Sequence, residues 1–247
     1  MATAAPQDQW RLLDVAGSDT KLAQLAHRGR TLPEHAEVER LAQRLTRLGD
    51  DLVAARMRAG DVARELAKAE ADVEVVRQRV ARDRARLDSG QGSAKDLQAT
   101  QHELESLAQR QSVLEDAELE VMEQLEAVQS AVTALEAERE RLAAEHADVA
   151  ARRDAALAAV EEEATQVRRA RNDAAAGLPA DLIGLYEKIR TSTGSTGAAR
   201  LHARRCEGCR IEINAAVMGS LRAAPEDAVL RCEDCGRILV RTADSGL

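Results

Sequence analysis

Leu87-Asp-Ser-Gly-Gln-Gly-Ser-Ala94 separates two long stretches of helical sequence. Two glycines and two serines within eight residues are typical of a turn, because they favour backbone conformations that interrupt a helix. Ser93 is placed to cap the helix that follows, with Asp96 as the third residue after it. A turn this short between two long helices predicts that the second helix folds back along the first as an antiparallel hairpin, whose tip lies at residues 88–94.

The segment before the turn carries a strict heptad pattern. Its apolar residues follow one another at alternating steps of three and four positions, with Asp83 as the one polar interruption. They are Val38, Leu41, Leu45, Leu48, Leu52, Ala55, Ala59, Val62, Leu66, Ala69, Val73, Val76, Val80 and Leu87. A surface helix of a globular protein would drift off a seven-residue repeat over this distance. The pattern therefore predicts left-handed supercoiling against a partner helix.

The segment after the turn predicts a second helix over residues 94–172. Every seventh residue of one register is apolar: Leu107, Leu114, Val121, Val128, Leu135, Leu142, Val149 and Ala156. At about 1.5 Å per residue, this helix overshoots the first, over 34–88, by about 25 residues. A short amphipathic helix at 10–27 has the length to cover much of that overshoot, which predicts an extra helix at the base of the hairpin. Residues 1–9 are interpreted as a floppy tail.

The composition supports a coiled coil over a globular core. The 247-residue chain has no Phe, one Trp (Trp10) and one Tyr (Tyr186), and 32% of its residues are charged. Compact cores normally bury large aromatic side chains, whereas Ala, Leu and Val mixed with Glu, Asp and Arg are typical of long helices. The net charge of −8 argues against a general nucleic-acid coat. With no long apolar run and no basic leader before an apolar stretch, the chain is predicted to be cytoplasmic, without a membrane partner.

The chain is predicted to divide into three parts. Residues 1–177 form the N-terminal helix and the coiled-coil hairpin, which ends at Gly177-Leu-Pro179. Residues 178–197 form a connector with a short helix at 180–190 and a small-residue linker. Residues 198–247 form a separate module that contains all four cysteines. The predicted fold class is therefore mainly α, with a small C-terminal β ribbon.

Two C-x-x-C motifs, Cys206-Glu-Gly-Cys209 and Cys232-Glu-Asp-Cys235, predict one zinc ion held by four thiolates. Gly208 and Gly236 would let each knuckle turn its backbone N–H groups toward the sulfurs. The 22-residue spacer has room for a strand, an excursion and a return strand. Ile211–Ile213 and Ile238–Val240 are the short β-prone runs beside the knuckles.

Two other interpretations of the cysteines stay open at this point. Redox-active C-x-x-C pairs are disfavoured because no βαβ pattern surrounds either motif. A rubredoxin-type iron site remains an alternative, since four thiolates do not choose their metal uniquely. A shell of four cysteines leaves no coordination position for water or substrate, so the metal is expected to be structural.

Catalysis has little support in the sequence. The five histidines are scattered, and no Ser/His/Asp or Cys/His arrangement or phosphate-binding loop stands out. We therefore expect no enzymatic activity and no small-molecule substrate; a zinc-dependent hydrolase is a weak alternative that rests on the metal alone. Arg200, Arg204, Arg205 and Arg210 form a basic cluster beside the ribbon. These arginines are either ordinary surface residues or a phosphate contact to nucleic acid.

Three stretches of the sequence resemble a known family of bacterial proteins with a coiled-coil hairpin followed by a four-cysteine zinc ribbon. They are the turn from Leu87 through Leu104, the connector Leu178–Arg190, and the ribbon motifs ending in Cys232-Glu-Asp-Cys-Gly-Arg-Ile-Leu239. The turn has Gln91 where a basic residue is common in the family. The resemblance covers nearly the whole chain, and the last motif is the most specific.

The resemblance implies an adaptor without catalytic activity. Some family members act in flagellar or secretion-related regulation, through an alternative sigma factor, secretion components or RNA. The leading expectation is thus a scaffold that binds protein partners, in transcription-related or secretion-related regulation. The alternative is a regulator that binds RNA or DNA through the arginine-flanked ribbon.

Overall fold

The computed structural model describes residues 2–247 and is predominantly helical. Its five α-helices are α1 (Pro6–Arg30), α2 (Pro33–Asp88), α3 (Ala94–Ala175), α4 (Ala180–Thr193) and α5 (Ala215–Ala223). Its four strands are β1 (Ala198–His202), β2 (Arg205–Cys206), β3 (Leu230–Arg231) and β4 (Ile238–Val240), and a 3₁₀ helix follows at Ala243–Ser245. The predicted mainly α fold, with a long helical hairpin and a small C-terminal strand region, is confirmed.

The chain forms two compact units. One comprises residues 36–150, which hold most of α2 and the first part of α3. The other comprises the chain before Ala36 together with residues 151–247. The three-part division at residues 177 and 197 stays a prediction.

Within residues 36–150, the heptad residues of α2 and α3 pack against each other. The most deeply buried seam residues there form one cluster: Leu41, Leu48, Leu142 and Val149. Salt bridges between the two helices flank the seam farther along: Arg56–Glu136, Arg77–Glu115 and Arg79–Glu103. Successive partners move forward along α2 and backward along α3, so the two helices are antiparallel.

The turn between α2 and α3 is closed by the predicted cap. The backbone N–H and the hydroxyl of Ser93 both donate to Asp96 Oδ2, at 3.0 and 2.7 Å. The backbone N–H of Asp96 donates back to Ser93 Oγ at 3.2 Å. Gly90 and Gly92 have φ angles of 65° and 132°, which side-chain-bearing residues rarely adopt. The Asp96 carboxylate thus accepts the backbone N–H of Ser93, which has no partner inside the helix.

The cap gives the start of α3 a pH dependence. The hydrogen bonds from Ser93 hold the pKa of Asp96 below its ordinary value of 3.8. A lowered folded-state pKa means that the carboxylate stabilises the helix start above that ordinary value, and that this contribution is lost as pH falls through the lower pKa. The protection factors of the amides in the first turn of α3, which correct for the intrinsic pH dependence of exchange, should therefore fall on acidification. Asp96→Asn should exchange faster already at pH 7, and equal rates in the two proteins would contradict the cap.

The N-terminal residues differ from the predicted floppy tail. Thr3 forms a β-bridge with Ala228, and the Ala4 N–H donates to the Asp227 carbonyl at 2.8 Å. The helix then starts at Pro6, a position that suits Pro because the first helical N–H has no partner inside the helix. The prediction was wrong because these backbone partners lie more than 200 residues away in the sequence, where no local pattern reveals them.

A partly buried ionic network joins α1, α3 and α4. Asp19 accepts hydrogen bonds from Arg171 Nε and from the Tyr186 hydroxyl, each at 2.6 Å. Glu187 accepts from Arg171 and from Arg190. Burial and the bond to Asp19 raise the pKa of Tyr186, and the same carboxylate raises the pKa of Arg171. The network ties the end of the long helix to the connector.

Asp19→Ala is expected to destabilise the unit that contains α1 and residues 151–247 by about 2–4 kcal/mol. The substitution leaves the guanidinium of Arg171 and the hydroxyl of Tyr186 without their shared acceptor. Urea unfolding followed by fluorescence of the single Trp would measure the change. Asp14→Ala, at an exposed position on the same helix, serves as the control and should stay within about 0.5 kcal/mol of the parent. An equal effect of the two substitutions would show that the network contributes nothing.

The four strands form one small sheet in the order β2-β1-β4-β3. Strand β1 pairs with β4 in parallel, and the other two pairings are antiparallel. Strand β4 is buried on both of its faces. Ile238 and Val240 face a cluster that includes Leu12 and Tyr186 of the helices, whereas Leu239 faces the cysteines. Three consecutive apolar residues in β4 suit a strand that is covered on both sides.

None of the helices within residues 2–247 combines the length and the hydrophobicity needed to cross a lipid bilayer.

Candidate metal centre

The first knuckle is a tight turn from Cys206 to Ile211. The Cys206 N–H donates to the Ile211 carbonyl at 3.1 Å, and the Arg210 N–H donates to the Cys206 carbonyl at 2.7 Å. Arg210 follows the second cysteine of the motif and has a φ of 63°. That left-handed conformation turns the chain back over Cys209.

The second knuckle repeats this pattern. The Cys232 N–H donates to the Arg237 carbonyl at 2.9 Å, and the Gly236 N–H donates to the Cys232 carbonyl at 2.8 Å. Gly236, with a φ of 70°, occupies the position that Arg210 occupies in the first knuckle. Arg231 Nε also donates to the Gly236 carbonyl at 2.9 Å. Two equivalent turns therefore present two thiols each.

The four sulfurs converge on one point. All four lie within 4.8 Å of one another. Cys206 Sγ is 3.9 Å from Cys235 Sγ, and Cys209 Sγ is 3.8 Å from Cys232 Sγ, so each knuckle faces the other. A tetrahedron with Zn–S bonds of about 2.3 Å has sulfur–sulfur edges of about 3.8 Å. The spacing of the thiols thus fits one zinc ion with four sulfur ligands.

The thiols differ in their acidity before a metal binds. Burial raises the pKa of Cys206 to about 12 and also raises the pKa of Cys232. Burial acts in the same direction on Cys235, but N–H groups of Arg237 and the neighbouring thiols outweigh it and lower that pKa to about 7. Metal binding requires thiolates, so loading the site displaces protons from the buried cysteines.

The two knuckle glycines play different roles. Gly236 supplies a left-handed backbone conformation, with a φ of 70°. Gly208 does not have a positive φ; a Cβ there would lie 2.7 Å from Arg237 Cδ and 3.0 Å from Ala199 Cβ. Gly208 is thus required for close packing between the first knuckle and its neighbours.

The spacer between the knuckles contains a helix that the sequence analysis missed. Helix α5 starts after Asn214, whose side-chain oxygen accepts the Val217 N–H at 2.9 Å. An Asn directly before Ala-Ala-Val-Met is a recognisable helix start, so the signal was present. Met218 and Leu221 of α5 pack in the cluster that contains Cys206 and Cys232. Of the two predicted β-prone runs, Ile238–Val240 forms β4, whereas Ile211–Ile213 contributes only an isolated bridge between Glu212 and Arg205.

Two of the four arginines beside the ribbon share one depression. Arg205 and Arg210 line a shallow depression of about 500 Å³, whose lining does not include Arg200 or Arg204. Acidic side chains approach two of them: Arg200 Nε lies 4.0 Å from Glu207, and Arg205 lies 3.9 Å from Glu212. These carboxylates reduce the positive potential of the cluster.

Comparison with known proteins gives two family matches. Residues 15–194 match the CT398-like coiled coil hairpin domain, and residues 205–239 match the C4-type zinc ribbon domain. The second match and the sulfur geometry together assign one structural zinc to the four cysteines.

Relatives and solved structures align with almost the whole chain. An uncharacterized protein from Mycobacterium tuberculosis H37Rv is 40% identical over 241 residues, which is 96% of this chain and 97% of that protein. A structurally characterised protein from Mycobacterium smegmatis is 35% identical with a TM-score of 0.85, covering 97% of this chain and 100% of that one. The structure of CT398 from Chlamydia trachomatis shares the fold at 14% identity and a TM-score of 0.65, covering 96% and 98% of the two chains. The chain therefore belongs to the family of CT398-like coiled-coil hairpin proteins that carry a C4-type zinc ribbon.

Proposed function

We propose that this protein is an adaptor without catalytic activity, which binds protein partners through its coiled-coil hairpin and its ribbon. The observation that carries the proposal is the closed metal shell. Four thiolates fill the coordination sphere of zinc, so the ion has no position for water or substrate and serves to fold the ribbon. The histidines do not join the cysteines in the metal-ligand cluster found within residues 2–247.

The hairpin supplies side chains that suit protein contacts. Several large apolar residues of α2 and α3 lie outside the seam and are exposed to solvent: Val53, Met57, Val75, Val113, Leu119 and Met122. Met is a common contact residue in interfaces because its flexible thioether adapts to different surfaces. The family resemblance extends the proposal to transcription-related or secretion-related regulation.

Affinity purification of the full-length protein from its native cell would test the proposal. Two hairpin variants, Met57→Glu and Met122→Glu, and one ribbon variant, Ile211→Glu, place a charge at exposed apolar positions. A specific partner is expected to be lost with a variant in one of these regions while zinc content and helicity stay unchanged. Recovery of no protein above the level of an unrelated coiled-coil control would refute the adaptor.

The second candidate is a regulator that binds RNA or DNA through the ribbon. Arg205 and Arg210 line the same depression, which supports a phosphate contact. Titration of labelled single- and double-stranded nucleic acid would test it. Replacing Arg200, Arg204, Arg205 and Arg210 together by Gln should then weaken binding, and an unchanged affinity would exclude the ribbon as the binding site.

A further inference from the structure

The part of the hairpin next to the turn is basic, although the chain as a whole is acidic. Residues 77–105, which include twelve residues of each helix beside the turn, hold five Arg and one Lys against three Asp and two Glu, a net charge of +1 in a chain with a net charge of −8. The following residues 106–145 hold ten Asp or Glu against three Arg, a net charge of −7. A polyanion that approaches the hairpin is therefore attracted near the turn and repelled beyond it.

Three of these arginines share one face of α2. Arg79, Arg82 and Arg86, which we call the tip stripe, are spaced by three and four residues and are all exposed. Helical geometry places them within an arc of about 60° and along about 10 Å of the axis. Arg79 pairs with Glu103 at 2.8 Å and approaches Asp83 at 3.9 Å, exposed salt bridges of small energetic value. Within residues 2–247, Arg82 and Arg86 are in no salt bridge.

The surroundings of the tip stripe favour nucleic acid over a protein or a membrane as its ligand. Val75, one turn before Arg79, is the last large apolar side chain of α2 that stands out from the described surface before the turn, and the next one along the chain is Val113 of α3. Protein interfaces draw most of their binding energy from buried apolar and aromatic anchors, and peripheral membrane helices insert apolar side chains into the lipid. A phosphate backbone needs neither, because charge and hydrogen bonds from Arg suffice to bind it.

The residue types also indicate which form of nucleic acid is bound. Proteins that bind single strands without sequence preference stack bases on aromatic side chains. The aromatic residues of this chain are Trp10 and Tyr186, and neither lies in the hairpin. We propose that the tip stripe binds the phosphate backbone of double-stranded nucleic acid, without base specificity. This site is separate from the ribbon arginines and does not depend on them.

Fluorescence anisotropy with the full-length zinc-loaded protein and labelled duplexes of about 20 base pairs would test the proposal at several salt concentrations, from about 50 mM upward. Two duplexes of unrelated sequence should bind equally well. The triple variant Arg79→Gln, Arg82→Gln, Arg86→Gln should bind at least about tenfold more weakly at low salt. The slope of log K against log salt should fall in magnitude by about 3, since each lost phosphate contact removes about 0.9.

A matched control lies on the same helix. Arg40, Arg44 and Arg47 are spaced by four and three residues over the same length, but Arg40 pairs with Glu37 and Arg44 approaches Glu138. Replacing these three by Gln removes the same charge and should leave duplex binding unchanged. An equal loss of duplex affinity in both triple variants would overturn the tip stripe as a site. So would a loss of duplex affinity that occurs only when the ribbon arginines are replaced. Tighter binding to polyglutamate or to anionic phosphatidylglycerol vesicles than to duplex would overturn nucleic acid as its ligand.

Discussion

Cys232→Ser is expected to release the zinc ion and to unfold the ribbon while leaving most helical content intact. The serine hydroxyl is a poor zinc ligand, and Cys232 is buried in the cluster that also holds Met218, Leu221 and Leu239. Structural zinc contributes on the order of 10 kcal/mol of coupled binding and folding energy in small domains.

Three measurements would check this result. The zinc content measured by elemental analysis should fall from one ion per chain to none. The circular dichroism spectrum should lose only the signal of α5 and of the parts of α1 and α4 that pack on the sheet, since α2 and α3 are held by their own seam. Trp10 fluorescence should change, because the indole N–H donates to the Arg241 carbonyl at 2.7 Å, just after β4.

Glu233→Gln is the matched control for the zinc-site variant, because residue 233 is exposed and lies in the same knuckle without being a ligand. The Glu233→Gln variant should retain one zinc ion per chain, and its circular dichroism spectrum should be unchanged. A large loss of helix in Cys232→Ser would mean instead that the helices and the ribbon fold as one cooperative unit. Retention of zinc by Cys232→Ser would contradict the assignment of that ligand.

Gly197→Ala is expected to destabilise the junction between α4 and the sheet by about 3 kcal/mol, the upper end of what overpacking costs. A Cβ at this position would collide with the Tyr186 carbonyl oxygen and would lie 2.8 Å from Tyr186 Cδ2. Tyr186 is fully buried, and the Gly197 carbonyl accepts the Ile238 N–H at 2.9 Å. Neither neighbour has room to move, so the added methyl group displaces the start of β1.

Urea unfolding monitored through Trp10 would measure this loss, with two glycines of the same region as controls. Gly194 has a φ of 64° and no atom within 4 Å of an added Cβ, so Gly194→Ala should cost only the conformational penalty of about 1–2 kcal/mol. Gly184 lies inside α4 with the same free space, and Gly184→Ala should stabilise the helix by about 0.5–1 kcal/mol. Equal effects at positions 194 and 197 would rule out the steric explanation.

The sequence predicted features that depend on local spacing. The heptad repeat predicted α2 and α3 to within a few residues of their ends, because each position in a coiled coil is specified by neighbours three and four residues away. Ser93 and Asp96 were identified as the cap for the same reason. The four cysteines were identified because a C-x-x-C knuckle is itself a local structure.

Features that depend on distant partners were decided by the tertiary structure. Residues 191–197 were interpreted as a linker, yet Gly197 lies against Tyr186, where a side chain cannot fit. Strand β4 was expected beside a knuckle, but one of its faces is buried by α4 and by α1, which begins more than 200 residues earlier in the sequence.

The turn between α2 and α3 shows the same division. Leu87 through Ala94 specified where the hairpin turns, since glycine conformation and helix capping act over a few residues. The partners of Asp19 and of the N-terminal residues came only from the folded chain. Hydrogen bonds and ion pairs between residues far apart in the sequence leave no periodic pattern, so only the tertiary structure could place them.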